Sequence, residues 1–177
     1  MKRLSRQKTK EKAVEQLLLT NYNQYYRLAY SYVHNENDAG DIVQNAAYKA
    51  IKNSGSLKEE SYAATWLYRI VVNEIFTFCR QQKNESLDIA EEAYAEDSYE
   101  DFDLKMALEN LSPKDKLIVE LKYFEDMTLA DIADILEENV NTIKSRLYRS
   151  LRKLRILIEE EWMYTDNINS NKEALNV

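Results

Sequence analysis

The segment TLADIADILEENVNTIKSRLYRSLRKLR, residues 128–155, decides how the C-terminal half of this chain folds. Apolar residues at helical spacing predict a short first helix: Leu129, Ile132, Ala133 and Leu136. The polar run 137–139 interrupts this spacing. A second helix then starts near Asn139 or Asn141, since either side chain can cap a helix N-terminus. Two helices separated by a tight polar turn are typical of a helix-turn-helix.

The second helix of this segment combines one apolar stripe with a basic surface. The stripe consists of Ile143, Leu147, Leu151, Leu154 and Ile158. The basic residues are Lys144, Arg146, Arg149, Arg152, Lys153 and Arg155, and no acidic residue occurs between Asn139 and Ile158. This pattern predicts a recognition helix for the DNA major groove, and the alternative is a solvated amphipathic helix with a basic face.

The charge of the chain is distributed in blocks, so its formal net charge of −7 does not exclude DNA binding. Six of the first twelve residues are basic, whereas residues 85–103 contain nine acidic residues and neither Lys nor Arg. Because salt screens charges beyond about 8 Å at physiological ionic strength, a basic helix can still approach phosphate.

The composition predicts an all-α protein and excludes several kinds of site. Only two Gly and one Pro occur, with 45% hydrophobic residues. Glycine-rich phosphate loops are therefore excluded, and the single Cys79 and single His34 leave neither a zinc site nor a disulfide. We expect no catalytic residue, cofactor or metal; Cys79 is expected to pack and His34 to end a helix. A secretory signal and long apolar runs are missing, which predicts a soluble, cytoplasmic chain.

The chain divides into two small helical domains, residues 11–84 and 104–162, joined by an acidic linker, residues 85–103. The linker is expected to be extended, and residues 1–10 and 166–177 to be frayed tails. Three helices are predicted in the first domain, at about 11–33, 37–52 and 60–82. Their inward stripes are Val14, Leu17, Leu18, Tyr22, Tyr25, Leu28, Ala29 and Tyr32; Ala39, Val43, Ala46, Ala47 and Ala50; and Leu67, Ile70, Val71, Ile75 and Phe78.

Two outward faces of the first domain carry unusual residues. On its second helix, Asp38, Asp41, Ile42 and Asn45 share a face. Acids near a helix N-terminus are favoured by the macrodipole, paired carboxylates can hold a metal, and an exposed Ile rimmed by polar groups can dock a protein. The carboxylate–histidine pattern of di-iron bundles is missing, which disfavours an enzyme.

The third helix carries an aromatic and basic stripe opposite its core face. Its members are Trp66, Arg69, Asn73, Phe76 and Arg80. Rings and guanidinium groups stack on unpaired bases, so the stripe suits single-stranded nucleic acid. Alternatively, Trp66 and Phe76 pack against the first helix.

Together these segments resemble a known family over roughly residues 11–160. The motifs DAGDIVQ (38–44) and WLYRIVVN (66–73), followed by residues 108–155, are similar to regions 2 and 4 of bacterial sigma-70 family RNA polymerase sigma factors. The short form with an acidic linker resembles the extracytoplasmic-function (ECF) group. The resemblance implies a cytoplasmic, non-catalytic factor that directs core RNA polymerase to promoters by reading the −35 element and capturing the melted −10 element.

The resemblance also implies roles for individual residues. Core polymerase binding is assigned to Asp38, Asp41, Ile42, Gln44 and Asn45, where Asn45 replaces the usual acid. The −10 element is assigned to residues 58–64 and to Trp66, Arg69, Asn73, Phe76 and Arg80. The −35 element is assigned to Lys144, Ser145, Tyr148 and Arg149 at base edges, with Thr142 and Arg146 on phosphate.

The predicted turn departs from the family pattern at two positions. Glu137 stands where the family commonly has Gly, and Glu138 where it has an apolar residue. We therefore expect Glu137 to adopt the left-handed conformation, or the turn to differ, and Val140 to supply the missing apolar contact.

The resemblance implies three partners: core RNA polymerase, promoter DNA and a cognate anti-sigma factor, which in this family is often membrane-anchored. No small-molecule substrate is expected. On charge and family analogy, the acidic linker would occupy a basic channel of the polymerase. The rival interpretations are a dimeric DNA-binding regulator, which would need a ligand, receiver or dimerisation module in its N-terminal half, and an adaptor that binds only proteins, which the basic helix disfavours.

Overall fold

The computed structural model describes residues 2–57, 59–85 and 99–174, with side chains from 7 to 159 except 58 and 84–103. This part of the chain is all-α, as predicted, with two 3-10 turns, Ser54–Ser56 and Glu60–Tyr62, and no strand. Its helices are α1 Lys2–Thr20, α2 Tyr22–Val33, α3 Glu36–Lys52, α4 Ala63–Glu85, α5 Tyr99–Glu109, α6 Pro113–Tyr123, α7 Leu129–Leu136 and α8 Val140–Ala174. None of the described helices is long and apolar enough to span a membrane.

Three predicted boundaries differ from the observed helices. The predicted helix 11–33 is two helices, because Asn21 leaves helical geometry (φ −105°, ψ 12°) between α1 and α2. The predicted tails 1–10 and 166–177 are wrong for most of their length, since α1 begins at Lys2 and α8 continues to Ala174. Neither segment contains a Gly or Pro that would end a helix. The linker prediction falls largely on residues 86–98, which lie outside the described residues.

The core of the N-terminal helices is built by α2, α3 and α4, with α1 packed beside them. Its largest fully buried side chains include Val14, Tyr25, Ile42, Leu67, Val71 and Ile75. Tyr25 meets Tyr68 edge to face with ring centroids 4.9 Å apart. Tyr22, predicted to face inward, is 44% exposed and stacks on Tyr26 along the surface of α2.

The core of the C-terminal helices lies where α5 and α6 pack against α8. The apolar stripe of α8 is confirmed at its most buried positions: Ile143, Leu147 and Leu154. Ser112 caps α6 by accepting from the backbone N–H of Asp115 at 3.3 Å, and Pro113 occupies the first turn. A short polar cap followed by Pro at this position is a common helix start.

The chain divides into two compact units, one of Met1–Glu91 with Ala130–Glu138 and the other of Glu92–Leu129 with Asn139–Val177. This division differs from the predicted domains, because residues 130–138 of the predicted helix-turn-helix belong to the first unit. Within that unit, Asp131 on α7 accepts a hydrogen bond from the Thr65 hydroxyl on α4 at 3.2 Å.

Candidate nucleic-acid interface

The turn between α7 and α8 adopts a conformation that its sequence disfavours. Glu137 has φ 54°, in the left-handed region, which is the first of the two alternatives that the missing Gly left open. The N–H of Glu138 donates to the carbonyl of Ala133 at 3.0 Å, the bond that closes a Schellman helix end. The turn of the helix-turn-helix is therefore retained with a Glu at the glycine position.

Asn139 settles where the second helix begins. Its side chain accepts a hydrogen bond from the N–H of Asn141 at 2.8 Å, and α8 starts at Val140. Of the two candidates, Asn139 is thus the cap. Val140 is 43% exposed, so the expectation that it supplies the missing apolar contact is wrong.

The first turns of α8 present most of the predicted −35 residues to solvent. Thr142, Lys144, Ser145, Tyr148 and Arg149 are all exposed. Arg149 lies one turn after Ser145 and donates from Nε to its carbonyl at 3.3 Å, which places both residues on one face. The Ser145 hydroxyl is already bonded to the carbonyl of Asn141 at 2.9 Å. The long side chains of Lys144, Tyr148 and Arg149 therefore dominate this face.

Arg146 differs from its neighbours on α8 because it is held by α6. Its side chain is 17% exposed, and Nε lies 2.8 Å from Oδ1 of Asp115. The Ser112 hydroxyl donates to the other carboxylate oxygen at 2.6 Å. Burial alone would raise the pKa of Asp115, but hydrogen bonds from Ser112 and Arg146 outweigh it and lower the pKa below its usual range. Arg146 is thus oriented by a carboxylate within its own unit.

The outer face of α3 contains most, but not all, of the predicted polymerase-docking residues. Asp41, Gln44 and Asn45 are exposed. Asp38 is half-buried and accepts a hydrogen bond from Gln82 of α4 at 3.3 Å. Ile42 is only 1% exposed, so the expectation of an exposed Ile is wrong. Its helical phase places it with Ala39, Val43 and Ala46 on the buried side of α3.

Tyr48 is a surface aromatic residue that the sequence interpretation missed. It is 64% exposed, one helical turn after Gln44, and the Nζ atom of Lys52 lies 5.6 Å from its ring centroid. An aromatic residue on a polar helix face is a usable signal in sequence, because such side chains are common at interface hot spots. Tyr48 is therefore an exposed ring on the outer face of α3, where Ile42 was expected from the sequence.

The aromatic and basic stripe of α4 is not a continuous free surface. Asn73 and Arg80 are exposed, whereas Trp66, Arg69 and Phe76 are half-buried. Phe76 meets Tyr32 of α2 edge to face at 6.0 Å, so the packing alternative holds for this ring. Arg69 forms an ion pair with Glu137, which lies in the same unit.

The start of α4 makes further contacts with α7 in that unit. Burial raises the pKa of Tyr62, and a hydrogen bond with Asp134 raises it further. Together with Thr65–Asp131 and Arg69–Glu137, this contact sets three acidic side chains against the first turns of α4. Part of the predicted −10 surface is thus engaged within the protein.

His34 and Cys79 were considered for metal or thiol chemistry. His34 lies at the end of α2 and Cys79 lies within α4. His34 ends α2 at φ 51° with its N–H bonded to the carbonyl of Tyr30 at 2.9 Å, which confirms it as a helix-end residue. Cys79 is half-buried and forms no disulfide. Across the described side chains, His, Cys, Asp and Glu form no group of three or more suited to a metal ion.

Comparisons with known proteins match both halves of the chain. The family model for sigma-70 region 2 matches residues 17–85, and that for sigma-70 region 4 matches residues 101–154. RNA polymerase sigma factor SigV of Bacillus subtilis is 38% identical over 163 residues, covering 88% of this chain and 98% of SigV. The ECF RNA polymerase sigma-E factor of Haemophilus influenzae is 30% identical over 161 residues, covering 79% and 85%.

Solved structures agree with this result. The sigma factor RpoE of Bartonella quintana, in complex with the anti-sigma factor NepR, matches with a TM-score of 0.71 and 27% identity, covering 82% of this chain and 96% of RpoE. CnrH, in complex with the cytosolic domain of CnrY, matches with a TM-score of 0.65 at 19% identity, covering 83% and 88%, and supports the fold alone.

Proposed function

Because the chain belongs to the sigma-70 family of RNA polymerase sigma factors, in its ECF group, and so directs core polymerase to specific promoters to initiate transcription, we propose that α3, α4 and α8 divide this work. Proteins of this family are normally not catalytic. In the proposal α8 reads the −35 element, α4 and the turn before it capture the −10 element, and α3 binds core polymerase.

The observation that carries the proposal is the exposed face of α8. Lys144, Tyr148 and Arg149 project from the first turns of a helix that has no acidic residue before Glu159. In the major groove, Arg and Lys can donate to guanine O6 and N7, and each good bidentate pair contributes about 1–3 kcal/mol of discrimination. Thr142 and Arg146 are assigned to phosphate, with Asp115 orienting the guanidinium of Arg146.

For the −10 element, the exposed amide of Asn73 and guanidinium of Arg80 are the first candidates, followed by Trp66 and Arg69. Unpaired bases stack on aromatic rings, and each stacked base contributes about 1–3 kcal/mol. Phe76 serves this surface indirectly, since its ring packs on Tyr32. To bind DNA, Arg69 must break its ion pair with Glu137. The negative charge of the DNA backbone favours this change of partner.

For core polymerase, we assign the face formed by Asp41, Gln44, Asn45 and Tyr48, with Asp38 at its edge. Ile42 contributes by holding α3 in the core and not by contact. Tyr is one of the residues enriched at protein–protein hot spots, and the polar residues around Tyr48 suit the rim of such an interface.

We further propose a cytoplasmic location and a cognate anti-sigma partner. The Bartonella RpoE that this chain resembles was solved with an anti-sigma factor. Occupation of either the α3 face or the α8 face by such a partner would prevent promoter-specific transcription.

In vitro transcription on a genomic promoter library tests the proposal directly. Core polymerase with the chain should start transcripts from a small set of promoters that share −35 and −10 sequences, and core polymerase alone should not. A variant with Lys144→Ala and Arg149→Ala should lose this selectivity. Unchanged promoter selectivity in this variant would contradict the assignment of −35 reading to α8.

A further inference from the structure

Helix α1 is packed against the segment that leads into α4. It contacts the 3-10 turn Ser54–Ser56, and the Nζ atom of Lys10 donates a hydrogen bond to the carbonyl oxygen of Leu57. One turn earlier, Nε2 of Gln7 lies 3.9 Å from the position that a β-carbon on Gly55 would occupy. The first helix and this segment are 47 residues apart in sequence at the Lys10–Leu57 bond, so the contact is tertiary.

The segment after residue 53 alternates between buried anchors and exposed residues. Ser54 and Leu57 are 2% and 1% exposed, while Glu59, Glu60 and Ser61 face solvent. Within the turn, the N–H of Ser56 bonds to the carbonyl of Asn53 at 2.8 Å and that of Leu57 to Ser54 at 3.2 Å. The Leu57 carbonyl is the last of these backbone groups before the exposed stretch, and its hydrogen-bond donor comes from α1.

A lysine is well suited to this position. Its ammonium group makes a charge-assisted hydrogen bond, which is stronger than a neutral one, and the residue is half-buried. Lys10 is therefore distinguished from Lys8 and Lys12 of the same helix, whose side chains are exposed.

We propose that Lys10 is a positioning residue for −10 recognition and that α1 supports residues 53–57, which precede the exposed residues 59–61. The inference rests on the proposed function, in which the turn before α4 contacts the −10 element. By holding the Leu57 carbonyl, Lys10 sets where the exposed residues Glu59–Ser61 and the start of α4 stand. A protein segment that is ordered before binding loses less conformational entropy when it binds. The −10 bases that it contacts are then discriminated more sharply.

The test compares three variants of the full chain in complex with core polymerase. Lys10→Met removes the charged donor and keeps an unbranched apolar stem. Lys12→Met removes the same charge at an exposed position two residues away, and Lys10→Arg keeps a charged donor. Each is assayed by transcription from promoters with a constant −35 element and every single-base change of the −10 element, and then with these roles exchanged.

We expect Lys10→Met to reduce discrimination among −10 variants by about fivefold, the factor that corresponds to one hydrogen bond of average net strength. Discrimination among −35 variants should stay at the wild-type level. Lys12→Met should alter neither ratio, and Lys10→Arg should restore much of the −10 discrimination. A merely structural role would lower both ratios or neither.

Three outcomes separate the possibilities. Wild-type −10 discrimination in Lys10→Met, or equal losses in Lys10→Met and Lys12→Met, overturns the role of Lys10. If Lys10→Met does not fold by circular dichroism, Gln7→Ala decides, since Gln7 is a second α1 side chain that lies beside the turn Ser54–Ser56, and unchanged −10 discrimination then overturns the supporting role of α1. If the wild-type complex does not discriminate among −10 variants at all, the proposed function fails instead.

Discussion

The outer faces of α4 and α8 were both predicted to bind DNA, but the structure treats them differently. On α8, Lys144, Tyr148 and Arg149 extend into solvent. On α4, Phe76 is packed against Tyr32 and Arg69 is paired with Glu137. One face is available in the free protein, whereas the other is partly occupied by the protein's own side chains.

This difference shows how well the charge and helical spacing of side chains predict an exposed DNA-binding face. The basic stripe of α8 remains exposed because the apolar stripe of this helix lies on the opposite side, where Ile143, Leu147 and Leu154 pack into the core. The α4 stripe mixes rings with cations, and rings are buried wherever a neighbouring helix offers an aromatic partner, since such pairs stabilise by about 0.5–1.5 kcal/mol beyond burial. Rings and cations alike are therefore removed from a predicted nucleic-acid face where a partner lies nearby, as Phe76 and Arg69 show.

The largest expected effect concerns the reassignment on α3, where a predicted surface residue lies in the core. Ile42→Ala should lower the free energy of unfolding by about 2–5 kcal/mol, as for other large-to-small changes of buried aliphatic residues. Tyr48→Ala, on the exposed side of the same helix, should change it by less than about 0.5 kcal/mol. Urea denaturation of both variants measures the difference. Equal and small losses of unfolding free energy in the two variants would contradict the buried position of Ile42.

On the same helix, Asp41→Arg should weaken binding to core polymerase by about 1–3 kcal/mol, because it reverses a charge in the proposed interface. Tyr48→Ala should cost more than about 1 kcal/mol of the same binding if it is a hot spot. Titration of labelled core enzyme measures both. Glu15→Arg, which makes the same charge change at an exposed position on α1, is the control. Loss of affinity in the control alone would move the interface away from α3.

Arg149→Ala tests whether the free face of α8 reads bases. The variant should lose about 1–3 kcal/mol of affinity for −35 duplex and relax preference at one or two positions, as expected for a guanine contact. Arg152→Ala, at another exposed position of α8, should weaken all sequences alike and lower the salt slope by about one unit. Fluorescence anisotropy with −35 variants at several salt concentrations distinguishes them. A uniform loss in both variants would leave specificity to Lys144, Tyr148 or DNA shape.

The sequence predicted well what depends on local chemistry. The helix-end role of His34 and the left-handed Glu137 follow from the backbone states that helix ends require, whereas the sequence named Asn139 and Asn141 equally and only the structure selects Asn139 as the cap. For Glu137 the sequence left two alternatives, a left-handed residue or a different turn, and the structure shows the first, because a Schellman end requires that conformation whichever residue occupies it.

Features that depend on tertiary packing were not accessible in this way. Ile42 is not such a feature, because it lies three residues after Ala39 and four before Ala46, so helical periodicity alone would have assigned it to the buried stripe of α3. The pairings Phe76–Tyr32, Arg146–Asp115 and Lys10–Leu57 join residues 31 to 47 positions apart. Helical periodicity contains no information at that separation.

The smallest expected effect concerns Arg146. Among the predicted −35 residues, its side chain is the one that is paired with a carboxylate, as Arg69 is on α4. Because its Nε atom is paired with Asp115, Asp115→Asn should lower the free energy of unfolding by about 1 kcal/mol at pH 7, as for a partly exposed ion pair. The folded-state pKa of Asp115 lies below its ordinary value, so this stabilisation is present above that ordinary value and is lost as the pH falls through the lowered one.

The stability difference between the wild-type and Asp115→Asn proteins should therefore stay constant from pH 7 to near the ordinary pKa of Asp115, 3.8, and shrink below it, which denaturant unfolding at each pH can follow. DNA binding separates the two roles of Arg146. Arg146→Ala should weaken every −35 sequence alike and reduce the salt slope by about one unit if the guanidinium meets phosphate, whereas Asp115→Asn should leave that slope unchanged. A stability difference that is independent of pH would deny the ion pair. An unchanged slope in Arg146→Ala would leave the guanidinium with a structural role, and the DNA face of α8 would then consist only of its solvent-exposed side chains.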